Sequence, residues 1–440
     1  MSVTGGTGVD AITFITSVLT NVTVDGGTNT GDSIAAVPAG ANVATFKDMD
    51  TVSLAAGTGT TSYTISGTTA TAVTAQTVGT GSTITSTSTA LTTVSQTATV
   101  AIALAGTGAF SISGGTTGAI TSTGSGQLTV TSSANAQTVT SSAPTTVDAT
   151  LLAAALTIDG TGAFTVNALG TAASSSVTEV GNASHSGAVT INTASTGTNT
   201  ITITEVTGAT GAVTVNALGS TGLITLKALA SHASQTINMG TGTALTVDAN
   251  STSTAYGVTM TGSGSHTYIN SSTTSSVDTI DASAATGTTA ITGGRGDDII
   301  KLGGATDTVV FGAHATNGVD TITGFALTDI LQLAALGTSS AEVAIAAGAL
   351  TTGTNMYELG GLAAGSADNT TAAAAAITAG ATWTSASVTA FVVLSDDNST
   401  SIYKWVEAGN AGAQSTELTL IGTVDAAMTT TQIATAVLIA

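Results

Sequence analysis

The chain has 440 residues, 25 of them acidic against 5 basic, giving a formal net charge of −20, with no cysteine. The basic residues Lys47, Lys227, Arg295, Lys301 and Lys404 are scattered and form no patch able to neutralise phosphates, which excludes nucleic-acid binding. The missing cysteine excludes a disulfide framework, and no apolar run approaches the roughly 20 residues of a membrane helix.

Charged residues make up only 7% and aromatics 3%, while Thr, Ser, Gly, Ala and Val dominate. Small and β-branched residues suit stacked, pleated strands better than a large globular core. An apolar content of 42% is too high for a disordered chain, with the Ser/Thr-rich segment 80–97 the expected local exception.

Residues 1–60 open on Gly5-Gly6-Thr7-Gly8-Val9-Asp10-Ala11-Ile12, which fits the nonapeptide pattern G-G-x-G-x-D-x-U-x, where U is apolar. Its residue types suit a cation: the glycines allow a tight turn that presents carbonyls, the Asp supplies a hard anionic oxygen, and U points into the core. A looser version follows at Val24-Asp25-Gly26-Gly27-Thr28-Asn29-Thr30-Gly31-Asp32-Ser33-Ile34, able to serve as a second calcium turn or as a turn alone. Ahead of these lies neither a basic region nor an apolar stretch of signal-peptide length, so export by that route is not expected.

Residues 61–276 read as short strands between small-residue turns, with recurring phrases. Gly106-Thr107-Gly108-Ala109-Phe110-Ser111-Ile112 returns as Gly160-Thr161-Gly162-Ala163-Phe164-Thr165-Val166, and Val166-Asn167-Ala168-Leu169-Gly170 as Val215-Asn216-Ala217-Leu218-Gly219. Their uneven spacing suits either stacked rungs or a series of small β-sandwiches.

Residues 277–336 hold the second full nonapeptide, Gly293-Gly294-Arg295-Gly296-Asp297-Asp298-Ile299-Ile300-Lys301, and nine residues further on come Gly303, Asp307 and Val309. The lead-in Val277-Asp278-Thr279-Ile280 and the exits Asp320-Thr321-Ile322 and Asp329-Ile330-Leu331 complete a calcium β-roll with two capping strands. Residues 337–440 change character. Ala-rich pieces at 341–349 and 371–378 predict short helices, the second started by Asp368, Asn369 or Thr370. Strands at 390–394 and 401–406 flank an Asp/Asn-rich turn, and the whole reads as a small α+β domain ending in an apolar tail.

These features together resemble the repeats-in-toxin group, and within it the surface-layer proteins exported by type I secretion. The likeness rests on the nonapeptides at 5–13 and 293–301, the Thr279-Ile280-Asp281-Ala282-Ser283 lead-in, the Asp320-to-Phe325 exit and the small, apolar C-terminus. It implies calcium between turns of a parallel β-roll, with side-chain oxygens from Asp10, Asp298 and Asp307 and backbone carbonyls from Gly6, Gly8, Gly294, Gly296 and Gly303. It also implies an uncleaved secretion signal in 337–440, export unfolded through the type I machinery, and folding in external calcium. Assembly of identical subunits into a surface lattice follows, with cell-surface polysaccharide or lipopolysaccharide as anchor. The expected fold class is all-β: an elongated stacked array, β-solenoid or serial β-sandwiches, with calcium β-roll segments and the C-terminal α+β domain.

The residues point away from catalysis. There is no H-E-x-x-H zinc motif and no G-x-S-x-G elbow, and His185, His232, His266 and His314 lie far apart. The pairs Asp297/Asp298 and Asp396/Asp397 read as ligands or turn formers. A surface adhesin or biofilm matrix protein is the alternative to the surface-layer reading.

Overall fold

The computed structural model describes residues 1–14, 19–37, 42–54, 61–75, 82–96, 101–114, 119–131, 137–150, 155–169, 175–180, 186–193, 201–205, 211–217, 224–228, 235–239, 244–249, 257–270, 275–311, 317–333, 342–344, 356–380, 389–407 and 412–439. Two compact units are present, Met1–Thr225 and Leu226–Ala440.

The first unit is a parallel β-solenoid, which settles the choice between a solenoid and serial sandwiches. Successive strands alternate between two sheets, and each strand pairs in parallel with the next but one in the chain. Ser2–Thr4 pairs with Thr20–Asp25, which pairs with Val43–Lys47, while Ala11–Thr13 pairs with Ser33–Val37, which pairs with Thr51–Leu54. The residue pattern explains this arrangement. In the second sheet Ile34, Val52, Val73, Val94, Ile112, Val130, Val147, Val166, Ile191 and Val215 stand in register, one per coil. All ten are buried, and each contributes about 1.5–3 kcal/mol by leaving water. Their neighbours on either side are mostly Thr and Ser, facing outward. The step from Val130 to Val147 is shorter than that from Val166 to Ile191 because the turns absorb the difference, which is why the spacing looked uneven in the sequence. The segment 80–97, read as locally disordered, carries the paired strands Thr83–Ser86 and Thr92–Gln96.

The repeated Val-Asn phrase has a structural meaning. Asn167, Asn192 and Asn216 stack in register, and each amide donates to the side-chain oxygen of the one before, at 2.7 Å in both steps. Such amide ladders lock register by pairing like with like.

Close stacking also explains the corner glycines. A Cβ on Gly126 would collide with the Gly108 carbonyl of the previous coil.

In the second unit the same two-sheet pattern runs through Gln235–Met239, Gly257–Gly262, Thr279–Ala285, Ile299–Lys301 and Asp320–Thr323 on one side, and Ala244–Ala249, Ser265–Asn270, Thr289–Thr292, Thr308–Phe311 and Ile330–Leu333 on the other. Asp320–Thr323 and Ile330–Leu333 form a coil, and they are covered in turn by Leu418–Val424 and Val437–Ile439, both parallel to them. Covering the edge with the chain's own strands removes a row of open N–H and C=O groups. Leu418–Val424 continues through antiparallel Thr400–Val406 and Thr389–Asp396 to parallel Met356–Leu362.

The helix Thr370–Gly380 lies in the region predicted, and Asn369 caps it by accepting from the N–H groups of Thr371 and Ala372 at 2.9 and 3.1 Å. Its Ala373 and Ile377 pack with Tyr357, Tyr403 and Trp405. The other predicted helix, 341–349, is corrected: Glu342–Ala344 is a strand paired with Met356–Leu362, and the remaining residues of that piece lie outside those described. Sheet pairing overrides the intrinsic helix preference of alanine here, as tertiary context routinely does. The Asp/Asn-rich hairpin turn closes on itself, with Asp396 Oδ1 accepting from the N–H groups of Asn398 and Ser399 at 2.9 and 3.0 Å.

Candidate metal centre

Aspartates that begin strands stack from coil to coil. In the first unit Asp10 N–H donates to Asp32 Oδ1 at 2.8 Å, and Asp32 N–H to Asp50 Oδ2 at 3.0 Å. An N–H at this place in a parallel ladder ordinarily meets the carbonyl of the residue before its partner. Here that residue belongs to a turn, so the carboxylate takes its place. The Asp10 carbonyl accepts in the ordinary way, from Ser33 N–H at 2.8 Å.

The second unit repeats the device twice. Asp278 N–H donates to Asp298 Oδ1 at 2.8 Å and Asp298 N–H to Asp320 Oδ1 at 3.1 Å. On the other sheet Thr289 N–H donates to Asp307 Oδ1 at 2.7 Å and Asp307 N–H to Asp329 Oδ1 at 2.9 Å. All five of these aspartates are buried.

The second oxygen distinguishes them. Asp10 Oδ2 accepts from Gly6 N–H at 2.6 Å, Asp307 Oδ2 from Gly303 N–H at 3.1 Å and Asp329 Oδ2 from Ala326 N–H at 2.8 Å. Asp278 Oδ2 takes the Asn270 amide at 2.6 Å and the Tyr268 hydroxyl at 3.1 Å, and Asp320 Oδ2 takes the Asn317 amide at 2.7 Å. Asp298 Oδ2 and Asp32 Oδ2 are fully buried with no hydrogen-bond partner.

Asp298 Oδ2 also occupies the space beside Gly293, where any Cβ would strike it. Burial pushes the Asp298 carboxyl up to about 8, reinforced by Asp320, Asp278 and Asp297 and opposed by the Asp278 N–H. Burial pushes Asp320 up to about 7, with Asp297 adding to it, and raises Asp329 with help from Asp307. A buried carboxylate that finds no donor must take up a proton or meet a cation.

Tested against calcium, the predicted residues divide. Asp298, whose buried Oδ2 has no hydrogen-bond partner, offers the hard anionic oxygen that calcium prefers. Gly294 and Gly296 both have positive φ, at 98° and 121°, and a Cβ on Gly296 would overlap the Ser276 carbonyl of the preceding coil. Asp307 and Gly303 are brought together, but by a hydrogen bond between them. At the N-terminal turn the carbonyls of Gly6 and Gly8 accept from the Asn29 amide at 2.9 and 3.4 Å, so an N–H donor stands where the resemblance implies a cation for Asp10. Among the described residues no group of three or more His, Cys, Asp or Glu side chains gathers as a ready ligand set.

His266 is buried in the column ahead of Thr289 and Asp307, and burial holds its imidazole below the usual value. His185, His232 and His314 lie outside the described residues. Lys47 and Lys301 are engaged by Asp25 at 2.7 Å and Asp281 at 3.1 Å.

Asp50, Asp278, Asp320 and Asp329 were not singled out as site residues from the sequence, and Asp32 entered only as part of the looser turn at 24–34. Their signal is present in it, as Asp two positions before Ile34, Val52, Ile280, Ile322 and Leu331. No family model, no curated protein and no solved structure matches the chain. Among the described residues no helix is long and apolar enough to cross a membrane.

Proposed function

We propose that the chain is a calcium-stabilised structural protein of repeats-in-toxin type, without catalytic activity, that assembles into a surface layer outside the cell. The observation that carries this reading is the buried Asp298 carboxylate, whose Oδ2 has no partner and whose pKa burial raises to about 8. Such a group disfavours folding at neutral pH unless a cation joins it, so calcium binding becomes folding energy. A chain kept loose in low calcium and ordered in high calcium suits export by the type I machinery. The stacked coils then give a long, hydroxyl-rich surface for packing identical subunits, anchored on cell-surface polysaccharide.

The test is addition of calcium to chelated, purified protein, followed by circular dichroism and light scattering, beside an Asp298→Ala variant. Ordering of β-structure followed by growth of sheets, both weakened in the variant, supports the proposal. Ordering without assembly favours an adhesin built on the same solenoid. No response to calcium refutes the reading.

A further inference from the structure

We infer that one outer face of the first unit, an uncharged grid of hydroxyl and methyl groups, binds ice. It lies on the sheet that opens with Ser2–Thr4. Thr64, Thr85, Ala103, Thr121 and Thr140 stand in register there, one per coil, and no register shift interrupts their pairings. The residues two before and two after each of them are also Ser, Thr or Ala, so three parallel ranks of five side chains face outward. The residues between the ranks are buried, Tyr63, Ile65, Ile84 and Ile120 among them, which fixes the direction of the pleat. Neighbouring coils of a parallel ladder lie about 4.8 Å apart and alternate residues of one strand about 6.6 Å apart, so the ranks form a two-dimensional grid. The hydroxyls along one margin are held alike: Thr87, Thr123 and Ser142 donate to the carbonyls of Ile65, Leu104 and Ser122 in the coil before, at 3.4, 3.5 and 3.4 Å. Threonine is also stiff about χ1, so such a surface loses little rotamer freedom on meeting a rigid partner.

Charge decides the kind of partner. The chain carries a net −20, yet no position of the grid is charged. Charge returns only at its two ends, with Lys47 in the coil before Ser66 and Asp159 in the coil after Thr140. Neither a cation nor an anionic polymer finds a counter-charge there. A partner that gains from every coil must be uncharged, rigid and periodic on the scale of a few ångströms. An ice surface meets those terms. Its oxygens repeat at comparable distances, each hydroxyl of the grid can donate once and accept twice, and the threonine and alanine methyls fill the spaces between without needing hydrogen bonds. A crystalline neutral glycan also repeats, but sugar faces are held by stacked aromatic rings, and the grid has none. The inference is independent of the calcium reading of Asp298.

The experiment follows single ice crystals held just below their melting point in solutions of the full chain with calcium present, and measures the gap between melting and freezing temperatures. Wild type is compared with Thr85→Lys/Thr121→Lys, which puts two charges in the middle of the grid, and with Thr93→Lys/Thr129→Lys, which puts two on the outward side of the other sheet. Circular dichroism checks that all three fold alike. Faceted crystals and a freezing gap are expected for wild type and for the second variant, with both lost in the first. Rounded crystals and no gap in wild type would overturn the inference, as would a gap that persists in Thr85→Lys/Thr121→Lys. Adsorption of wild type to microcrystalline cellulose or chitin without any effect on ice would overturn it in favour of a glycan. Association of wild-type chains that the first variant loses, again without effect on ice, would overturn it in favour of a second copy of this chain.

Discussion

Without calcium, the stability of the second unit is expected to fall as pH rises, and the Asp298 carboxyl sets the scale. Its pKa moves from 3.8 when free to about 8 when folded, so the folded state holds this proton more tightly than the unfolded state. Stability contributed by that proton is full below the unfolded value and is lost as pH climbs through the folded one. At about 1.4 kcal/mol per pH unit, the step from about pH 5 to about pH 7 removes about 3 kcal/mol, and Asp320, raised to about 7, pushes the same way. Urea unfolding in chelator across that range, repeated in excess calcium, is the measurement. The midpoint is expected to drop with pH in chelator and to stay nearly level in calcium, because the bound cation takes over the proton's role. Asp298→Asn should flatten the chelated profile as well. A chelated wild-type protein equally stable at both pH values would refute the reasoning, since the buried carboxylate would then carry its charge at no expense.

Other consequences can be measured independently. Gly296→Ala places a methyl group on the Ser276 carbonyl at a φ of 121°, and should destabilise the second unit by more than about 2 kcal/mol, beyond rescue by calcium. Asn192→Ala removes the middle of the amide ladder and should lower stability by about 1–2 kcal/mol in denaturant unfolding, whereas the outward Thr190→Ala should change it by less than about 0.5 kcal/mol. Ile300→Ala, in the buried column after Asp298, should cost about 2–5 kcal/mol in the same assay. Deleting 412–439 uncovers the edges of Asp320–Thr323 and Ile330–Leu333, and scattering in chelator should then show concentration-dependent association greater than that of the full chain under the same conditions.

The array of strands was legible because its physics is local: an inward Ile or Val between outward Thr or Ser, once per strand, demands a pleated surface with one buried face. What the sequence left open was whether those strands closed into separate sandwiches or stacked as coils. Coil length varies at the turns, and turns contribute little to the hydrophobic pattern. Register was harder still. The phrase Val-Asn drew notice as a repeat, but a hydrogen bond from Asn192 to Asn167 exists only once both lie at the same height in adjacent coils.

The candidate metal residues show the same boundary from the chemical side. Glycine and aspartate at fixed spacing identified the turns, yet spacing alone treats Asp10, Asp298 and Asp307 as equals. They are separated by what the adjoining chain offers to one oxygen: Gly6 N–H for Asp10, Gly303 N–H for Asp307 and nothing for Asp298. Asp32 is the converse case, a poor match to the pattern whose second oxygen is left open by the fold. Whether such a turn keeps an open oxygen is therefore set by the donors that neighbouring residues supply or withhold, and a motif that names only the acceptors cannot rank its own occurrences. Adding a donor should close a site that the motif still predicts, just as removing Asn29 by Asn29→Ala should open the Gly6 and Gly8 carbonyls and raise calcium uptake at the first turn. An unchanged calcium stoichiometry in that variant would show that the Asn29 donor is not what decides.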